Sequence, residues 1–242
     1  MSIEISSGRS PFHTISKVLV FGAFLVLVSL GTWQLHRLSW KEDLIDKMEK
    51  NLELPSVQLP VDLKTLTEFD FRNVYARGVF DHEQELYLVP RMLGGETGVH
   101  VLTPYALDGG LHVLVNRGWV PSSLVQPESR SNGLVGGRLY LEGIVRIPKP
   151  ATRFTPDNEP SNNAWYWIDL PEMSKAINIP LLPIVIEAGN QPNPGGWPVG
   201  GQTRLTVPNH HFGYALTWYA LAFALVVIVV VYRLRRNRSV ND

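Results

Sequence analysis

The chain has 242 residues, 45% of them apolar, and its formal charges cancel, with 22 lysines and arginines against 22 aspartates and glutamates. That balance excludes a strongly basic nucleic-acid binder and an acidic disordered chain. Without cysteine there are no disulfides, cysteine nucleophiles, Cys-ligated zinc, iron–sulfur clusters or haem attached through Cys-x-x-Cys-His.

A mean hydropathy of zero is high for a chain with 18% charged residues, so the apolar residues are concentrated. Two blocks account for it, 15–35 and 212–232, each about the ~20 residues that cross a hydrocarbon core as a helix. Around them, residues 1–35 and 212–242 hold six basic against two acidic residues; residues 36–211 hold sixteen against twenty. Four arginines directly after the second block predict a cytoplasmic C-terminus, and two spans then place both termini in the cytoplasm and the middle on the far side. Leu30-Gly31-Thr32-Trp33-Gln34 offers no small-residue cleavage site, so the first block reads as an uncleaved anchor. The short, Arg-poor leader predicts a bacterial inner membrane with a periplasmic domain.

In chain order, the expected layout is a cytoplasmic N-terminus (1–14), a first transmembrane helix (15–35), an amphipathic stalk helix (36–54), a periplasmic mainly-β domain (55–211), a second transmembrane helix (212–232) and a basic cytoplasmic tail (233–242). In the stalk, Trp40, Leu44, Ile45, Met48 and Leu52 recur at helical spacing until Pro55 and Pro60. Strands are predicted over 74–80, 86–89, 99–105, 111–116, 139–147 and 184–187, with a hairpin around Asp108-Gly109-Gly110. A short helix follows Asp169 as its N-cap. The fold class is a membrane protein in which two transmembrane α-helices flank a mainly-β domain, sandwich or barrel-like.

Enzyme motifs are absent: there is no Gly-x-Ser-x-Gly, no phosphate loop and no His-Glu-x-x-His. Asp81-His82-Glu83 reads as a polar turn, because adjacent strand residues point to opposite faces. His100 and His112 are expected as cross-strand neighbours in the hairpin. The four methionines are scattered, which argues against copper(I) delivery.

His210 and His211 stand where the chain enters the second apolar block, and ionisable groups at such a boundary are costly. At helical spacing His211, Tyr214, Trp218, Leu221 and Leu225 share a face, an imidazole above an aromatic and aliphatic wall. Such a face suits either an interfacial aromatic belt or a flat hydrophobic cofactor whose metal accepts a histidine nitrogen, with haem the obvious candidate. On the first span Gly22, Val26, Ser29 and Trp33 are expected to face the second.

Several segments carry a family resemblance. Gly31-Thr32-Trp33-Gln34-Leu35-His36-Arg37 with Trp40-Lys41, then Arg77-Gly78-Val79-Phe80-Asp81-His82, Val115-Asn116-Arg117-Gly118-Trp119-Val120-Pro121, Glu142-Gly143-Ile144-Val145-Arg146, Gly200-Gly201-Gln202-Thr203-Arg204 and Asn209-His210-His211 occur in the order seen in the Surf1 (Shy1) family, which the chain resembles. The resemblance implies an assembly factor for haem–copper terminal oxidases of the cytochrome c oxidase type, not an enzyme, that binds haem a and assists its insertion into subunit I. It implies cytochrome c oxidase subunit I, haem a synthase and the lipid bilayer as partners, no nucleic acid, and leaves room for a homo-oligomer. Its haem a ligand matches His211, with His210 as the competing neighbour. Arg204 is the expected propionate partner, and Tyr214, Trp218 and Trp33 complete the expected site. The alternative is a haem-free scaffold for subunit I intermediates, with Trp33, Arg117 and the Gly-Gly-Gln-Thr-Arg segment as a protein-binding surface.

Overall fold

Alternation of buried and exposed residues, with Gly and Pro between the strands, closes the middle of this chain into a barrel. The computed structural model describes residues 11–62, 65–203 and 209–238. Its helices are α1 (Pro11–Glu53), α2 (Leu170–Ile177) and α3 (His211–Arg238). Its strands are β1 (Val57–Gln58), β2 (Asn73–Phe80), β3 (Leu86–Leu93), β4 (Glu96–Leu107), β5 (His112–Pro121), β6 (Leu139–Arg146), β7 (Ala164–Trp165) and β8 (Leu181–Ala188). Two compact units result: one holds most of α1 and all of α3, the other residues 47–205.

In the barrel unit the strand order β2-β6-β8-β5-β4 returns to β2 through the pairing of Gly78, Val79 and Phe80 with Leu107, Ala106 and Tyr105. Closure leaves these five strands without a free edge. β3 and β7 continue the sheet from the first half of β4. Val74, Ala76, Tyr105, Val113, Val115, Leu141, Val145, Ile184 and Ile186 fill one face at the period-2 spacing of strands. Against the other face of β4, β5 and β8, α2 lays Leu170, Met173 and Ile177 onto Leu102, Leu114, Val185 and Trp165. Because β5 is covered on both sides, it is buried along almost its whole length rather than at alternate residues, Asn116 and Arg117 included. The Asp169 side chain caps α2 by accepting from the Glu172 N–H at 3.1 Å.

The hairpin of β4 and β5 turns at Asp108-Gly109-Gly110, where Gly110 has φ +80°. Its register places His100 opposite Trp119 and Ala106 opposite His112, so the two histidines expected to face one another lie six residues apart along the ladder. Register is counted outward from the turn, and the two histidines stand at unequal distances from it. At Gly118 the strand bulges with φ +116°, and a Cβ there would come within 1.9 Å of the Val199 carbonyl oxygen. Glycine lets the chain around Val199 pair with Trp119 in both directions, at 2.9 and 2.8 Å.

Long connections are held to the barrel by buried charge. Glu85, just before β3, receives Nη1 of Arg130 at 3.3 Å and also its Nη2, while Arg117 Nη1 lies 3.7 Å from the same carboxylate. All three side chains are at most 2% exposed. Arg130 also donates from Nε to the Leu124 carbonyl at 3.0 Å, and Arg117 from Nη2 to the Gly133 carbonyl and to Asn193 Oδ1 at 3.1 Å. His82 Nε2 meets the Val135 carbonyl at 3.0 Å. The Asp81–Glu83 stretch is thus a capped 3-10 turn, as its polar character predicts, with His82 turned into the charge cluster. Burial lowers the Arg117 pKa to about 10, which leaves it charged at neutral pH.

Burial by itself would raise the Glu85 pKa, but the hydrogen bonds from His82 and Arg130 and the charges of both arginines outweigh it and hold the carboxyl below the usual range. A carboxylate with a depressed folded pKa contributes stability above its unfolded value, and that stability is lost as pH falls through the folded pKa. Glu85→Gln removes the counter-charge from two buried guanidiniums and is expected to cost about 3–5 kcal/mol. Thermal unfolding of the full chain in detergent, followed through tryptophan near-UV dichroism, should show a large drop in Tm at pH 7 that narrows as pH falls below the usual carboxylate range. An unchanged Tm at pH 7 would contradict the role assigned to this cluster.

Candidate functional site

Among the described residues, two helices are long and apolar enough to cross a membrane, Lys17–Glu53 and His211–Arg235. Many of their large apolar side chains, among them Val18, Phe21, Phe223 and Ile228, are more than half exposed. A surface of that kind is stable against lipid and not against water, so this is a membrane protein.

The two helices are antiparallel within their unit, and their less exposed residues mark a seam. On α1 these include Phe24, Leu27, Gly31, Gln34 and Leu38; on α3 they include His211, Ala215, Trp218, Ala222 and Leu225. Both sets alternate spacings of three and four, the signature of helices packed along a shallow crossing. Small residues allow the approach. A Cβ on Gly31 would lie 2.9 Å from the Tyr219 ring. Thr32 Oγ1 donates to the Val28 carbonyl at 2.9 Å and stands 3.0 Å from the Tyr219 hydroxyl, which is left to act as donor to it.

At the His211 end of this seam lies its polar contact. His211 Nδ1 is 2.7 Å from Gln34 Oε1. An amide oxygen only accepts, so Nδ1 carries the proton and Nε2 the lone pair. Nε2 has no hydrogen-bond partner among the described residues. Gln34 is 9% exposed, and among the described residues of the two spans it is the buried polar side chain. The His211 N–H, which a first helical turn leaves unpaired, reaches Asn209 Oδ1 at 3.5 Å. A neutral imidazole with one nitrogen engaged and the other bearing a lone pair is the donor a haem iron or other borderline metal takes, so the residues present fit such a group.

The predicted site residues are divided by this geometry. His211 faces α1 and His210 is exposed. Trp218 and Leu225 lie on the seam, but Tyr214 is 57% exposed and Leu221 48%. The face chosen from sequence was thus rotated: small Ala215 and Ala222, one heptad apart, hold the positions where Tyr214 and Leu221 were expected. Trp33 is 55% exposed and Val26 58%, so the predicted contact face of α1 points away from α3, and Trp33 does not line the His211 contact. Arg204 lies outside the described residues. Arg117 is buried in the barrel and cannot form part of a protein-binding surface. Gln34 was missed as a site residue, although a glutamine within an apolar block was the available signal.

A second polar network lies on the barrel. Asn116 Nδ2 donates to Glu187 Oε2 at 2.7 Å and sits 3.1 Å from His100 Nδ1, while Asn116 Oδ1 accepts the Gly118 N–H at 3.1 Å. Burial pushes the Glu187 carboxyl up to about 6, against the Arg146 charge and the Asn116 hydrogen bond. A carboxyl with a raised folded pKa destabilises when ionised, and the cost is relieved as pH falls from above 6 towards 4.5. Glu187→Gln should therefore stabilise the barrel at pH 7.5 by up to about 2 kcal/mol and bring no gain at pH 4.5. Tm measured at the two pH values checks this, and a loss of stability at pH 7.5 would contradict it.

The sequence profile of the SURF1 family matches residues 21–223, taking in most of α1, the whole barrel and the first half of α3. "Surfeit locus protein 1" of Xenopus tropicalis is 39% identical over 234 residues, 90% of this chain and 76% of its own. A "SURF1-like protein" of Monosiga brevicollis is 41% identical over 228 residues, 89% and 87% of the two chains. The Homo sapiens "Surfeit locus protein 1" is 39% identical over 211 residues, 81% and 70%. These relatives are eukaryotic and lend no support to the bacterial address expected from the leader. With the profile spanning most of its length and relatives at this identity, the chain belongs to the SURF1 family.

Proposed function

We propose that this chain is a membrane-bound assembly factor for a haem–copper terminal oxidase of the cytochrome c oxidase type, which holds haem a through His211 and assists its insertion into subunit I. The observation that carries this reading is the 2.7 Å contact from His211 Nδ1 to Gln34 Oε1, which leaves Nε2 as a lone-pair donor at the end of an apolar seam. Haem a supplies, when bound, an iron that accepts such a nitrogen. The protein's own part is to fix the imidazole, with Trp218 and Leu225 continuing its face along α3, and no bond to carbon is made or broken. Arg204 is assigned to a propionate, as a charged donor to a carboxylate. Haem a synthase is the donor and subunit I the acceptor. Arg233, Arg235, Arg236 and Arg238 favour cytoplasmic termini, with the barrel on the opposite side of the membrane.

A second reading, a haem-free scaffold for subunit I, is favoured by one observation on the barrel. A cavity of about 370 Å³ opens between residues 147–150 and the start of α2, walled by Ile147, Pro148, Trp167, Pro171, Leu181 and Pro183. It has the size and apolar character of a binding cleft.

Purification from cells that make haem a separates the two readings. The wild-type protein should carry haem in its reduced spectrum, His210→Ala should retain it, and His211→Ala should lose most of it. Haem content unchanged in His211→Ala overturns His211 as ligand, and a haem-free wild-type protein that still crosslinks to subunit I favours the scaffold.

A further inference from the structure

Hydrogen bonds between membrane helices often serve only to join them, and each is worth little. The one between Gln34 and His211 has a property that joining does not require: it decides which imidazole nitrogen is protonated. Neutral imidazole in isolation populates both tautomers, and a single acceptor 2.7 Å from Nδ1 selects the Nδ1–H form. Gln34 is itself held, because its side chain is buried in the seam three residues from Gly31, whose lack of a Cβ lets the Tyr219 ring approach. A buried amide without this partner would pay for its desolvation, so breaking the contact is unfavourable for both residues.

We propose that Gln34 is the positioning residue for His211: its amide oxygen takes the Nδ1 proton, fixes the ring in one tautomer and orientation, and presents Nε2 as the nitrogen that binds a metal. The inference rests on the reading of His211 as a ligand. It also assigns a reason for an amide rather than a carboxylate. A carboxylate at this position would draw the Nδ1 proton more strongly and make Nε2 a stronger donor. The neutral amide orients the ring while keeping the metal bond weak, which suits a protein that releases what it binds.

The test uses the full chain in detergent, labelled with ¹⁵N-histidine, first without haem. In wild-type protein the His211 signals, assigned with His211→Ala, should show a protonated Nδ1 and a bare Nε2. Gln34→Leu should give the exchange-averaged signals of free imidazole, and Gln34→Glu, which keeps an acceptor in place, should restore the single tautomer. When loaded with haem a, Gln34→Leu should retain haem roughly 10- to 100-fold less tightly, and Gln34→Glu should hold it more tightly with a midpoint potential shifted lower. A role confined to joining the helices would move neither the tautomer nor the potential. A wild-type His211 protonated on Nε2, or a tautomer unchanged in Gln34→Leu, overturns the proposal. The haem-free spectra read the Gln34 contact alone, whereas haem content in His211→Ala reads the ligand assignment, so the two failures are distinguishable.

Discussion

A polar side chain within an apolar helix pair has to find a partner there, since neither lipid nor packed hydrocarbon offers one. Gln34 and His211 meet that requirement in each other, and the seam around them is arranged to make the meeting possible. Gly31 admits the Tyr219 ring, and the small Ala215 and Ala222 are almost fully buried on α3. Thr32 and Tyr219 add a second polar pair, two residues away on α1 and eight on α3. Larger residues at these positions would separate the helices and leave an amide and an imidazole unpaired.

The barrel solves a different problem with similar means. Its long connections between β5 and β6 and after β8 lay Leu124, Val125 and Trp197 against Val99, Val101 and Val120. They are fastened by Arg130 and Arg117, whose guanidiniums reach backbone carbonyls of the connections and a carboxylate at the barrel wall. Glu85 and Glu187 show how one residue type takes opposite roles in one domain. Two arginines and a histidine hold Glu85 ionised, while burial raises the pKa of Glu187 against the Arg146 charge and the Asn116 hydrogen bond. The first ties stability to ionisation and the second opposes it, so acidification removes one contribution while relieving the other.

Much of this was legible in the sequence, for identifiable reasons. Short runs of β-branched and aromatic residues between turn residues marked β2, β4, β5, β6 and β8, and two long apolar blocks marked the spans. The helix capped at Asp169 followed from Pro171 and the spacing of Met173 and Ile177. Less was legible wherever the answer depended on which face of an element meets another. A run such as α3 is apolar all round, so periodicity cannot say which stripe packs. From sequence, Tyr214 and Trp33 are expected at the site, whereas Ala215 and Gln34 are the residues buried on the seam. Likewise the partnership of Glu85 with Arg117 and Arg130 joins residues 32 and 45 positions apart, and no local pattern announces it.

The central claim is that Nε2 of His211 takes the metal. Seven histidines are present, and ¹⁵N spectra of the histidine-labelled protein before and after loading with haem a report on each in turn. The account predicts that the bare Nε2 resonance of His211 disappears from its haem-free position while those of His210 and His100 stay in place. Loss of the His210 signal with His211 undisturbed would contradict it.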